Sequence, residues 1–87
     1  MIMAIHHRVE DYAKWRPAHD AHEQVRVAAG VTNGRIYQSR GDPNDVVILF
    51  DVLDVSKAKA FSQSQDLKSR MQAAGVLGQP EILFQPQ

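Results

Sequence analysis

VVILFDV, residues 46–52, decides the fold. A strand sends successive side chains to opposite faces, so apolar residues at Val46, Val47, Ile48, Leu49 and Phe50 require a cover on both sides. The run follows GDPND, residues 41–45, a stack of turn formers that reads as a hairpin loop, and it precedes Asp54 and Ser56, either of which can start a helix. Residues 46–52 are therefore the central strand of a sheet. Working outward, VTNGRIYQSR (31–40) places Ile36 and Tyr37 among polar neighbours, as suits a strand with a wet edge or end.

Gly30 closes the preceding helix from the position just past its C-cap. At 100° per residue, Trp15, Ala18, Ala21, His22, Val25, Ala28 and Ala29 share an arc of roughly 140°, which reads as the buried face. Tyr12, His19 and Arg26 lie along one border of that stripe. Glu10 or Asp11 supplies the N-cap. Pro17 conflicts with a continuous helix, because an interior proline loses a hydrogen bond and clashes with the preceding turn at a cost of ~3 kcal/mol. A kink or a divided helix is expected there. Before it, IMAIHHRV (2–9) alternates as a strand, with Met3, Ile5, His7 and Val9 on one face and Ile2, Ala4 and His6 on the other.

On the other side, Val55, Ala58 and Phe61 follow helical spacing, SQSQD interrupts, and Leu67, Met71 and Ala74 resume it. Ser64 is placed to cap a fresh start, so this helix comes in two parts. It ends at Ala74-Gly75, Gly78 and Pro80 form a loop, and EILFQ (81–85) is the last strand.

Strand, helix, strand, strand, helix, strand is the ferredoxin-like βαββαβ order of the α+β class: a four-stranded antiparallel sheet with both helices on one face. The other face is bare, yet residues 46–50 send apolar side chains to it. A domain below about 80 residues also has little core to spare, ~3–5 kcal/mol being typical. A second copy packed on the open sheet face answers both needs, so a homodimer is expected.

The chain of 87 residues makes one domain, residues 1–87. Ten basic and ten acidic residues cancel, which removes a global field for nucleic acid or anionic lipid. No window approaches the ~20 apolar residues of a membrane span. The absence of cysteine excludes disulfides, thiolate catalysis and cysteine-held metal, and suits the cytoplasm. The four strands do not carry the aromatic platform of an RNA-recognition domain, since Arg35, Tyr37 and Phe50 do not compose one. No phosphate-cradling loop, Walker or serine-nucleophile motif is present, so no organic cofactor is expected.

The order of elements, together with VEDYAKW (9–15), HDAH (19–22), Gly30, GDPNDVVILFDV (41–52), SQSQDL (62–67) and AAGVLGQPEI (73–82), resembles small proteins of the dimeric α/β-barrel superfamily. These are often labelled cyclase-like or antibiotic-biosynthesis-monooxygenase-like, and the resemblance covers nearly the whole chain. It implies two ferredoxin-like subunits packed sheet to sheet, with a pocket between sheet and helices in each. The superfamily hosts monooxygenases, haem-degrading enzymes, cyclases and dehydratases. Haem degradation is disfavoured, because the Asn, Trp and His set of those relatives, with its tryptophan on the second helix, is not matched.

Three of the four histidines and the single tryptophan fall within residues 7–22. If the His7 face of the first strand is the helix-covered one, His7, Trp15, His19 and His22 line one cavity, with Tyr37 from the second strand. Histidine titrates near neutrality and serves as base or acid, and an aromatic wall binds a flat organic molecule. His7 and His22 are the leading acid–base candidates. Trp15 and Tyr37 shape the pocket, and His19 and Arg26 stand at its mouth. Proton abstraction from a phenol, aldol-type ring closure and cofactor-free oxygenation of an activated aromatic all fit.

A plainer reading stands beside this one: histidines satisfied within the core, Trp15 as the anchor of a helix, and Tyr12 and Arg26 as a snorkelling rim. The chain would then be a non-catalytic dimeric ligand-binding or interaction module. A metal is not expected, since HDAH lacks the four-residue spacing and intervening glutamate of a zinc helix, and His6 and His7 point to opposite faces.

Overall fold

The computed structural model describes residues 1–85. Along the chain run β1 (Ile2–Val9), α1 (Tyr12–Ala21), α2 (Glu23–Ala28), β2 (Val31–Ser39), β3 (Asp42–Val52), α3 (Val55–Ser62), α4 (Gln65–Ala73) and β4 (Val76–Gln85). The strands form one antiparallel sheet in the order β2-β3-β1-β4. This is the ferredoxin-like α+β architecture, with the 46–52 run in an interior strand.

The strand alternation expected from the sequence holds. Met3, Ile5, His7 and Val9 of β1 and Val46, Ile48, Phe50 and Val52 of β3 are all buried. Ile5 pairs with Ile48 and Met3 with Phe50, so these residues share one face, and Trp15 of α1 and Ala58 of α3 close over it. Burying each large apolar side chain contributes about 1.5–3 kcal/mol. The opposite face carries half-buried Ile2, Val47 and Leu49 and the exposed Leu83, and around them lie the ion pairs His6–Asp45 (2.6 Å) and Arg35–Asp51 (3.1 Å).

The first helical region divides at His22 rather than at Pro17, which stays inside α1 with its ring exposed. In a continuous helix the His19 carbonyl would accept from the N–H of residue 23. Here it accepts instead from His22 N–H (3.2 Å) and from Arg26 Nη1 (2.8 Å). That tightens the turn and restarts the helix. The division also rotates the inward stripe. Ala21 and Ala28 are exposed, while Tyr12, Trp15, His19, His22 and Arg26, spaced by alternate steps of three and four, face inward. Alanine carries too little apolar area to fix the phase of a helix against an aromatic residue.

The second helical region is in two parts, as its sequence implies. Asp54 accepts from the backbone of Lys57 at the start of α3, and Ser64 from that of Leu67 at the start of α4. The turn after β2 is shorter than GDPND: it occupies Arg40 and Gly41, and β3 already begins at Asp42. The register slips there, from Gln38 opposite Val46 to Ser39 opposite Asp42, and Pro43 falls in the slipped segment, where no ladder donor is needed. Likewise Gly78 and Pro80 are an irregularity within β4, which starts at Val76, and not a loop before it. Gly78 has φ +67° at that point.

A further bulge lies at Asn33 and Gly34, between Thr32 opposite Asp51 and Arg35 opposite Leu49. Asn33 adopts φ +53°. Gly34 lets the Phe50 ring close on the strand, since a Cβ there would lie 2.8 Å from Phe50 Cε1.

Candidate functional site

A cavity of about 60 Å³ lies between the sheet and the helices. Its floor is Ile5, His7, Ile48 and Phe50. Strand alternation places these four on the same face, because the His7–Val46 pair lies two residues along from the Ile5–Ile48 pair. One wall is the stripe of α1 and α2, namely Trp15, His19, His22 and Arg26; the other is built by Phe61 of α3 and by Leu67, Arg70, Met71 and Ala74 around α4.

Two features fix the entry of α1 above the floor. Asp11 accepts from Ala13 N–H at 3.0 Å, and Asn44 of β3 accepts from Tyr12 N–H at 2.9 Å. Both satisfy amide donors that a helix start leaves free. Trp15 is thereby set over His7, with ring centroids 5.5 Å apart in an edge-on arrangement. His19, one turn along, stacks on Trp15 at 4.7 Å and 26°. The Arg26 guanidinium lies 5.7 Å from the Phe50 ring centre, a favourable cation–π geometry.

The three imidazoles share an electrostatic character. Burial, reinforced by the Arg26 charge, pushes His19 down to about 4. Burial lowers His7, with His6 adding to the effect, and burial lowers His22, with Arg70 and Arg26 adding. All three are neutral at pH 7, so each offers one donor and one acceptor nitrogen. His7 is 5% exposed, and its Nδ1 has no hydrogen-bond partner. Leaving a buried polar atom unpaired costs about 1–3 kcal/mol, a penalty that a ligand reaching it would relieve.

Of the residues singled out from the sequence, His7, Trp15, His19, His22 and Arg26 line the same cavity. Tyr37 does not join them: it pairs with Val47 on the open face and is 53% exposed. Arg26 is half-buried with its guanidinium over Phe50, rather than standing at a rim. Phe50, Phe61, Arg70 and Met71 were not singled out. Met71 stood on the helical spacing of the second region, and Arg70, three residues past Leu67, sits beside it on the same helix side. Among the described residues, no group of three or more metal-ligating side chains converges, and no helix is long and apolar enough to cross a membrane.

The site and sheet together define a class of fold, the ferredoxin-like α+β domain that carries a pocket under its helices. Solved structures of similar shape include antibiotic biosynthesis monooxygenases. A protein assigned to that activity from Bordetella bronchiseptica superposes with a TM-score of 0.76 at 16% identity, over 99% of this chain and 95% of that one. SnoaB, a cofactor-independent oxygenase from Streptomyces nogalater, gives 0.70 at 11% identity, over 99% and 92%. A monooxygenase from Streptomyces coelicolor, solved with the ligand nanaomycin D, gives 0.64 at 15%, over 99% and 86%. No protein-family model matches the sequence, and no curated protein matches it either. The chain thus shares the ferredoxin-like fold of these proteins.

Proposed function

We propose that this protein is a cytoplasmic homodimer whose pocket takes a small aromatic or polyketide-like molecule and oxygenates it without a cofactor, histidine acting as the acid–base group. The observation that carries this reading is the neutral, buried His7, with an unpartnered ring nitrogen, in a cavity walled by Trp15 and two further neutral imidazoles. The likeness in fold to a cofactor-independent oxygenase supports it.

In this reading Trp15 stacks on the substrate, and His7 removes a proton from a C–H made acidic by flanking aromatic rings. The resulting carbanion passes electrons to dioxygen. The balance is an activated methylene plus O₂ giving a carbonyl plus water, and the proton that His7 took up is returned, relayed through neutral His22, to the peroxide oxygen that leaves as water. Positioned proton transfer of this kind contributes about 10²–10⁴-fold in rate. The same acid–base pair would serve a ring closure, in which no oxygen is consumed.

Dimerisation places a second copy on the open sheet face, covering Val47, Leu49 and Leu83 and enclosing Tyr37. A second reading, a non-catalytic interaction module with structural histidines, is favoured by the volume of the cavity, which is below the roughly 300 Å³ at which ordinary ligand sites begin.

The test is oxygen uptake with anthrone as probe, in the presence of a chelator. One O₂ consumed per quinone formed is expected, falling about tenfold or more in His7→Gln. Uptake no faster than the protein-free blank, or unchanged in His7→Gln, refutes the oxygenase reading. Sedimentation showing a stable monomer at micromolar concentration refutes the dimer.

A further inference from the structure

The inner cavity, at about 60 Å³, is well below the roughly 300 Å³ at which ordinary ligand sites begin. A second cavity of about 320 Å³ lies on the far side of α4, against β4, and is lined by Lys68, Gln72, Gln79, Pro80 and Ile82. Leu67 and Met71 line both cavities, so two apolar side chains of one helix are what divides them. The outer space alone enters the volume range of ordinary ligand sites, and joining the two extends it to the imidazoles of the inner one.

The dividing helix is lightly held. α4 has no fully buried residue, whereas Trp15 anchors α1 and Ala58 anchors α3. Methionine is unbranched and has three rotatable bonds, so Met71 can swing aside with little strain.

Charge sets the polarity of the joined space. No carboxylate lines either cavity. The inner one presents Arg26 and Arg70. Arg26 has no carboxylate within salt-bridge distance among the described residues, and spends one N–H on the His19 carbonyl. Arg70 donates from Nε to Asp66 at 2.8 Å on the exposed side of α4. Two guanidiniums among neutral imidazoles and aromatic rings match an anion, carboxylate above all, and repel a cation.

We propose that Leu67 and Met71 form a movable partition, and that the pocket takes an elongated organic acid, its carboxylate against Arg26 and Arg70 and its apolar body running past Met71 into the outer cavity. This rests on the reading of the inner cavity as a ligand site. It adds the ligand's charge and shape, and makes Met71 the residue that sets ligand length.

Trp15 is the single tryptophan and lines the inner cavity, so its emission reports occupancy. The full chain is titrated with benzoate, phenylhexanoate and phenylhexanol, exciting at the red edge of indole absorption. Phenylhexanoate is expected to bind about tenfold or more tightly than either of the others, a gap of about 1.4 kcal/mol. Met71→Phe, which thickens the partition, removes the advantage of phenylhexanoate over benzoate. Arg70→Gln, which frees no helix carbonyl, removes the preference of acid over alcohol. Equal affinity for benzoate and phenylhexanoate leaves the inner site standing and overturns the partition. Equal affinity for acid and alcohol overturns the anion assignment, and silence of Trp15 toward every probe overturns both this proposal and the ligand site beneath it.

Discussion

Replacing His19 by phenylalanine should flatten the acid side of the stability curve. His19 is held neutral because protonation would place a charge in a half-buried position beside Arg26 and against Trp15. Its folded-state value is about 4 against an unfolded 6.5. Between those two values the unfolded chain binds the proton and the native chain does not, so stability falls as pH drops from 6.5 toward 4. At ~1.36 kcal/mol per unit the shift corresponds to about 3.5 kcal/mol at most. The ring is partly open to solvent, which screens the effect to about 2 kcal/mol. Urea unfolding of wild type and His19→Phe over this pH range isolates the contribution, since carboxylate titrations common to both cancel in the difference. Wild type should lose about 2 kcal/mol relative to His19→Phe between pH 7.5 and pH 4. Parallel curves, or a His19 ring proton titrating near 6.5 by NMR, would refute the reasoning.

Two further outcomes are expected from the packing. Gly34→Ala drives a methyl to within 2.8 Å of Phe50 Cε1 in the β2 bulge, and thermal unfolding should show a loss of about 1–3 kcal/mol; an unchanged melting temperature would mean that the ring moves freely. Asn44→Ala removes the side chain that accepts from Tyr12 N–H at the head of α1, with an expected loss of about 1 kcal/mol and faster amide exchange at Tyr12. Unaltered exchange at that amide would rule out the cross-strand cap.

The two-part second helix and the opposite facings of His6 and His7 were legible because each rests on a local rule. Ser64 can cap only a helix that begins after it, and neighbouring strand residues must point apart. The gathering of His7, Trp15, His19 and His22 was legible for the same reason, as one strand face meeting one helix stripe. The division at His22 was not. Proline is the residue that breaks helices in general, yet here the break comes from Arg26 reaching back to the His19 carbonyl, a contact seven residues long. Tyr37 was equally out of reach, because the bulge at Asn33 and Gly34 decides which of Ile36 and Tyr37 turns toward the helices, and a slip of one residue exchanges the faces.

By itself the sequence determined the order of strands and helices, the face of each regular strand and the presence of an apolar open side, since these arise from periodicities of two and 3.6 residues. The tertiary structure decided which side chains close the pocket. Arg70 and Met71 line one cavity with Arg26 and His7 only because α4 lies over the same sheet face as α1 and α2, and Phe50 closes on β2 only because Gly34 makes room. Periodicity sets direction along one element, whereas the phase between elements is set where bulges, caps and helix breaks bring them into contact.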